Sequence, residues 1–318
     1  MRVPSQKANS RKSPFSFPIV AIAAVLFIFQ LTSCASEADS QEQQAEEKAP
    51  KAERIVSLSG TLTEILYALD MGNRIVGVDI TSVYPEEETA ELPRLGHMSQ
   101  LNTEALLALE PDLVIYEATE RGAPDAITQL EQAGITIAAI QTGHTLDNPI
   151  NVTSQLTDLL DIDESSVSTL QDRLNSERAT LNELVENAAS TPPRVLFIYA
   201  RGMGRLLAAG NETSASAMIE LAGGQNAITS FPQFEALTPE ALVEAQPDVI
   251  LMFTSGLASL DGKEGLQQIP GMSATPAYQN DRILTMEGLY LTGFGPRSTQ
   301  AAIELAEGLH LPIEAEAG

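Results

Sequence analysis

The 318-residue chain has no tryptophan, one cysteine and three histidines. A lone cysteine cannot close an internal disulfide, so no disulfide framework organises the fold. His97, His144 and His310 are too few and too dispersed for a multi-histidine metal centre. Positive charge is also scarce: 18 Lys and Arg stand against 43 Asp and Glu, a net charge of −25. A surface this acidic repels phosphate backbones, which argues against nucleic acid as a partner. The signatures of catalysis are missing as well. No G-x-S-x-G elbow, P-loop or H-E-x-x-H occurs, and the stretch AAGNETSASAM at residues 208–218 lacks the G-x-G-x-x-G spacing. The chain reads as a binding protein rather than an enzyme.

What the chain does have is a stretch that occurs twice. Residues 101–116 (LNTEALLALEPDLVIY) and residues 237–252 (LTPEALVEAQPDVILM) align without a gap. They share Leu101/Leu237, Glu104/Glu240, Ala105/Ala241, Leu106/Leu242, Pro111/Pro247 and Asp112/Asp248. Each reads as a short helix, broken at Pro-Asp, that runs into an apolar segment of buried-strand length. Their separation of 136 residues is far longer than a solenoid repeat and fits two domains of one plan. Folding explains the apolar matches, but it does not require the paired glutamates.

The front end is different. Residues 1–33 carry Arg2, Lys7, Arg11 and Lys12, then an apolar run over residues 17–31. That run is shorter than a membrane span and ends in small polar residues, the pattern of a secretory signal. Cys34 closes Leu31-Thr32-Ser33-Cys34, which resembles the lipobox of bacterial lipoproteins. The resemblance implies cleavage before Cys34 and a lipid on its thiol. Residues 34–52 are polar and acidic and read as a flexible tether.

The remainder alternates strands with helices. Residues 53–148 predict an α/β unit with a mostly parallel sheet and helices on both faces. Its strands are expected at residues 53–57 and 75–78, near Tyr116, and at residues 135–140. Residues 149–190 are leucine-rich at helical spacing and predict one long connecting helix, kinked near residues 161–163. A coiled-coil partner helix is the competing reading of that pattern. Residues 191–318 predict a second α/β unit, with strands at residues 194–199 and 282–285 and a last helix at residues 298–309.

This organisation resembles a class III solute-binding protein of bacterial ABC importers, a class of cobalamin, ferric-siderophore and haem binders. The resemblance implies two Rossmann-like α/β lobes bridged by one long α-helix, with the ligand in the cleft between lobes. It is more specific toward haemin-binding proteins of the HmuT type. RIVSLSGTLTEILYALDMGNRIVGVD (residues 54–79), LPRLGHMSQLNTEALLALEPDLVI (92–115), AAGNETSASAMIELAGGQNAI (208–228), IPGMSATPA (269–277) and LTGFGPR (291–297) carry it.

What the resemblance implies is an importer component that works as a monomer. It would bind haem and deliver it to an ABC permease with its ATPase, and a lipid anchor would hold it in the bacterial cell envelope. His97, in Gly96-His97-Met98, stands where relatives usually carry a haem-ligating Tyr. A neutral imidazole is itself a haem ligand. Arg201 stands where some relatives place a second ligand, His. A guanidinium that is always protonated cannot ligate iron, but its planar fork suits a propionate. Arg297 is a second candidate propionate partner, or a cap for its own turn. Met203 offers a thioether, although a methionine more often fills a gap, and Tyr290 is a further cleft candidate. Glu104 and Glu240, one per lobe, match the positions that dock against permease arginines. Cobalamin or a ferric siderophore on the same scaffold is the alternative. The missing tryptophan and only six tyrosines weaken the cobalamin reading.

Overall fold

Short aliphatic runs, each followed by a turn and a capped helix, set the architecture. The computed structural model describes residues 52–119, 125–188 and 191–310. Cys34, the export signal, most of the acidic tether and the tail from residue 311 lie outside the described residues. Ala52, assigned above to the tether, is already buried in the core.

The N-terminal lobe runs β1 (Ile55–Ser57), α1 (Gly60–Ala68), β2 (Ile75–Val78), α2 (Glu86–Ala90), α3 (Thr103–Ala108), β3 (Leu113–Glu117), α4 (Asp125–Gln132) and β4 (Thr136–Ile140). Its sheet has the order β2-β1-β3-β4 and is parallel throughout. Side chains alternate between its faces, as a period of two requires. Ile55 and Ile115 pack with Leu62 and Ile65 of α1 on one face. Val56 and Val114 pack with Leu106 of α3 and Ile127 of α4 on the other.

The connecting segment departs from expectation. It is two helices, α5 (Asn148–Thr157) and α6 (Glu164–Glu186), not one. Asp163 begins α6 by accepting the Ser165 N–H at 2.8 Å, which also holds its carboxyl below the usual carboxylate range. Aspartates at 158, 161 and 163 favour such caps and turns over helix interior. The bridging role belongs to α6. Its 23 residues span about 34 Å at ~1.5 Å per residue. Leu170 and Leu174 enter the core of the first lobe, and Leu181 enters that of the second.

The second lobe runs β5 (Arg194–Ala200), β6 (Leu206–Ala209), α7 (Ser214–Leu221), β7 (Gln225–Asn226), β8 (Phe234–Ala236), α8 (Pro239–Ala245) and β9 (Val249–Phe253). Then follow α9 (Thr254–Ala258), α10 (Lys263–Gln267), α11 (Pro276–Gln279), β10 (Ile283–Met286), α12 (Gly288–Thr292) and α13 (Ser298–His310). Strands β10, β9 and β5 are parallel, whereas β6 and β8 continue the sheet antiparallel. Those last two strands and the two-residue β7 escape the sequence pattern. They are short, and β8 is exposed along its whole length, so no buried apolar run marks it.

The repeated stretch becomes α3–β3 and α8–β9, and its matched residues do matched work. Asn102 and Thr238 cap the two helices by accepting the N–H groups of Ala105 and Ala241. Glu110 and Gln246, each just before the proline, both take a left-handed backbone, with φ of 46° and 39°. Asp112 then accepts the N–H groups of Glu53 and Arg54 at 2.9 and 3.0 Å, and Asp248 accepts that of Arg194 at 2.8 Å. The Pro-Asp step thus fastens the first strand of each lobe.

Candidate functional site

The carboxyl ends of parallel strands from both sheets open onto one cavity of about 1040 Å³. That end of an α/β sheet is where loops vary without disturbing the core, and ligands collect there. The N-terminal lobe contributes residues 58–61 after β1, Asp79 to Thr81 after β2, Glu117 at the end of β3, and Thr142 and His144 after β4. The second lobe contributes Tyr199 and Arg201 from β5 and its loop, Phe253 at the end of β9, and Glu287 and Leu289 after β10.

The first wall is polar and tightly bonded. Buried Asp79 accepts hydrogen bonds from the hydroxyls of Thr81 and Ser82, both at 2.7 Å. Glu117 accepts from the Ser59 hydroxyl and from Thr142 at 3.2 Å. His97 stands on a loop set by Gly96, whose φ of 91° suits glycine and whose missing Cβ would lie 2.7 Å from the Gln100 carbonyl oxygen. The His97 ring is exposed and lines the cavity. Its Nδ1 accepts the Ser99 N–H at 3.2 Å and lies 3.0 Å from the Ser99 hydroxyl.

The opposite wall is aromatic and cationic. Tyr199 packs edge-on against Phe253 and Phe234, with ring centroids 6.1 and 6.3 Å apart. The guanidinium groups of Arg201 and Arg205 lie over the Tyr199 ring at 5.7 and 6.0 Å. Among the described lining residues Arg201 is the only arginine or lysine.

A two-lobed α/β protein with a cavity at facing strand ends has the form of an extracytoplasmic solute receptor. Residues 55–288 match the family described as periplasmic binding protein. The chain belongs to that family. Among solved structures it is similar to the apo form of the periplasmic heme-binding protein RhuT from Roseiflexus sp. RS-1. The identity is 38% and the TM-score 0.74, over 81% of this chain and 98% of that one. The ABC transporter substrate-binding lipoprotein YvrC of Bacillus subtilis is 25% identical over 307 residues, covering 91% of this chain and 95% of the relative. The vitamin B12-binding protein of Vibrio parahaemolyticus is 28% identical over 259 residues, 80% of this chain and 88% of the relative.

Within this periplasmic binding protein the other expected site residues scatter. Arg297 does not line the cavity. Its guanidinium makes a two-pronged pair with Glu64 of α1, at 2.9 and 3.0 Å, and its backbone N–H donates to the same carboxylate. It also lies 3.5 Å over the Tyr84 ring. Thr61 donates to the Gly293 carbonyl and Asn148 to that of Phe294, so the GFGPR stretch joins the lobes. Tyr290 lies off the cavity as well, 5.1 Å below Arg297. Burial, then the neighbouring Glu304 carboxylate, pushes its phenol up to about 12. Met203 stands exposed in the loop after Arg201, outside the lining. Glu104 and Glu240 are exposed in the first turns of α3 and α8.

Conversely, sequence reading passed over Tyr199, Phe253 and Glu117. Their signal was available: each lies at the end of a strand, where an α/β fold builds its sites. Among the described residues no group of three or more His, Cys, Asp or Glu is placed to hold a bare metal ion.

Proposed function

We propose that this binding protein takes haem into the cavity between its lobes and delivers it to an ABC permease with its ATPase. The observation that carries the reading is a candidate iron ligand in each wall, His97 from one lobe and Tyr199 from the other. A flat iron macrocycle held between two walls is open to ligation from both faces, and imidazole and phenolate are both established haem ligands. The cations over Tyr199 would offset the negative charge of an iron-bound phenolate. Arg201 is the propionate partner that the lining offers, while Leu58, Ile80, Val83 and Leu289 supply apolar contact to the ring. The likeness to RhuT supports the ligand class.

Ligation by neutral His97 through Nε2 requires the proton on Nδ1. Nδ1 would then donate to the Ser99 hydroxyl rather than accept the Ser99 N–H, and Ser99 would fix the ring for the metal. The likeness to vitamin B12-binding proteins favours a second reading, a corrinoid in the same cavity. The cobalt of cyanocobalamin arrives with both axial positions already filled, so His97 and Tyr199 would then be dispensable as metal ligands.

Haemin titration of the fragment from residue 52 onward, beside His97→Ala and Tyr199→Ala, separates the two, with cyanocobalamin as the control ligand. Saturable haemin binding with a Soret band that shifts in each variant supports haem. Tight cyanocobalamin binding that neither variant alters, with no haemin spectrum, sinks it. The proposal extends to an export signal over residues 1–33 and to lipid on Cys34. A tether follows, then lobes over residues 53–148 and 191–318 joined by a connector at 149–190. Labelled palmitate should enter the full chain and not its Cys34→Ser variant.

A further inference from the structure

Three carboxylates and one guanidinium line the cavity, and the two signs of charge are kept apart. Asp79, Glu117 and Glu287 stand at the ends of β2, β3 and β10, so both lobes contribute. The groups that hold them converge on Gly60, at the start of α1. Ser59, the residue before it, donates its hydroxyl to Glu117. The Thr81 hydroxyl accepts the Gly60 N–H at 2.9 Å and donates to Asp79 at 2.7 Å. Glu287 accepts the Leu289 N–H at 2.9 Å, and the Leu289 side chain lies against Gly60. A Cβ on Gly60 would stand 2.4 Å from the Thr81 carbonyl oxygen and 2.9 Å from Leu289, so only glycine lets these parts meet.

Gly60 marks the closed end of the cleft. Its neighbour Thr61 donates to the Gly293 carbonyl of the other lobe at 2.8 Å, and both residues belong to the lining. Glu117 is tied to that joint on two sides. One tie is Ser59. The other is Thr142, whose neighbour Gly143 donates to Asn148 at 2.7 Å, and Asn148 donates in turn to the Phe294 carbonyl. Asp79 is buried and Glu117 half-buried, whereas Arg201 stands exposed in the turn after β5. Negative charge therefore lies deep and the positive charge lies toward solvent, with Glu287 adding a third, exposed carboxylate. Among the described residues these acids do not form a group able to hold a bare metal ion.

We infer that this acidic closed end selects porphyrins by where their carboxylates sit, and that Glu117 enforces the choice. The inference rests on the haem reading proposed above and deepens it. Haem carries both propionates on one edge, with vinyl and methyl groups opposite. Its uncharged edge enters first and its propionates stay with Arg201. A porphyrin with carboxylates on both edges, such as iron coproporphyrin III, must bring one pair against Glu117. Like charges pressed together in a cleft that excludes water repel strongly, and such repulsion discriminates between ligands of one shape. Asp79 contributes less, because it is buried and hydroxyls of Thr81 and Ser82 take one oxygen each. Glu117 is the deep carboxylate that a ligand reaches.

The test titrates the full chain, in detergent, with haemin, iron coproporphyrin III and iron haematoporphyrin, following the Soret band. Iron haematoporphyrin has neutral hydroxyethyl groups in place of the vinyls, so it adds bulk and polarity at that edge without charge. Wild type should bind haemin and iron haematoporphyrin within about threefold of each other, and iron coproporphyrin at least about tenfold more weakly than haemin. In Glu117→Gln, whose amide can still pair with both hydroxyls, the coproporphyrin penalty should shrink to about threefold or less. Arg201→Gln should weaken all three ligands and leave the penalty in place. Exclusion of iron haematoporphyrin as strong as that of iron coproporphyrin would assign the selection to bulk and overturn the inference. So would a penalty unchanged in Glu117→Gln. The first of these is read on wild type alone, whatever the stability of the variant. Equal binding of all three ligands by wild type keeps haem and removes the acidic selection. No Soret change with any of them sinks the haem reading, and the selection with it.

Discussion

The two lobes share a frame and differ at its working end. In both, a capped helix ends in a left-handed residue, turns at Pro-Asp and pins the first strand through an aspartate. Beyond the strand ends the likeness stops. The first lobe faces the cavity with Asp79, Glu117 and a net of hydroxyls, and it presents His97 on a loop. The second faces it with Tyr199, Phe253 and Arg201 and adds antiparallel strands to its sheet. Local backbone rules are kept because every such unit needs them. The walls are free to diverge because the loops at strand ends carry less of the core than the strands and helices do.

The comparison breaks most sharply if one lobe supplies all of the ligation. His97→Ala and Tyr199→Phe should each weaken haemin binding by at least the ~10–100-fold that even an outer-sphere partner costs, and each should change the Soret band differently. A variant with unchanged affinity and spectrum would assign the iron wholly to the opposite wall. Next in size is a contrast between two arginines. Arg297→Ala leaves buried Glu64 uncompensated and should cost about 3 kcal/mol, or a Tm loss of roughly 6–12 °C. Arg201→Ala, at an exposed position, should leave Tm within about 2 °C while weakening haemin binding. Thermal melts and titrations on both variants check the pair. Equal melts would show that the joint between lobes does not depend on the Glu64–Arg297 pair.

A smaller effect tests the shared frame. Asp112 accepts two backbone N–H groups and Asp248 accepts that of Arg194. Asp112→Ala should therefore cost about 2–3 kcal/mol and Asp248→Ala about 1–2 kcal/mol in urea unfolding. The reverse order would mean that the matched aspartates are not doing matched work.

Much of this frame was legible in the sequence because it is local. The repeat, the Pro-Asp break and the apolar strands are encoded within a few residues, and periodicity reads such features well. The long-range pairings were not legible. Nothing near Arg297 announces that Glu64, 233 positions away, will claim its guanidinium. From the sequence Arg297 was equally a propionate partner or a cap for its own turn, and neither reading includes the pair with Glu64 that ties it to the first lobe. The interruption between α5 and α6 was visible only as a cluster of aspartates, whose preference for caps outweighed the leucine spacing. His97 was found because a motif frames it. Tyr199 was passed over because it closes a buried strand and looks like core until the fold turns that strand end toward the cavity.

The finest contrast lies between two tyrosines of the second lobe, Tyr199 on the cavity wall and Tyr290 behind the joint. Burial first, and then the Glu304 carboxylate, raise the Tyr290 phenol from about 10 to about 12. The folded chain therefore holds that proton more tightly than the unfolded chain does. Below pH ~10 neither state has released it, and the contribution to stability is complete. Between pH ~10 and ~12 the unfolded chain ionises while the folded chain does not, so stability falls as pH rises through that window. Phenylalanine cannot ionise, so the stability of wild type relative to Tyr290→Phe should decline over the same window and stay level below it. Other tyrosines titrate in both proteins and drop out of the difference. Parallel urea midpoints for the two proteins from pH 8 to pH 12 would show that Tyr290 is not held neutral by its surroundings.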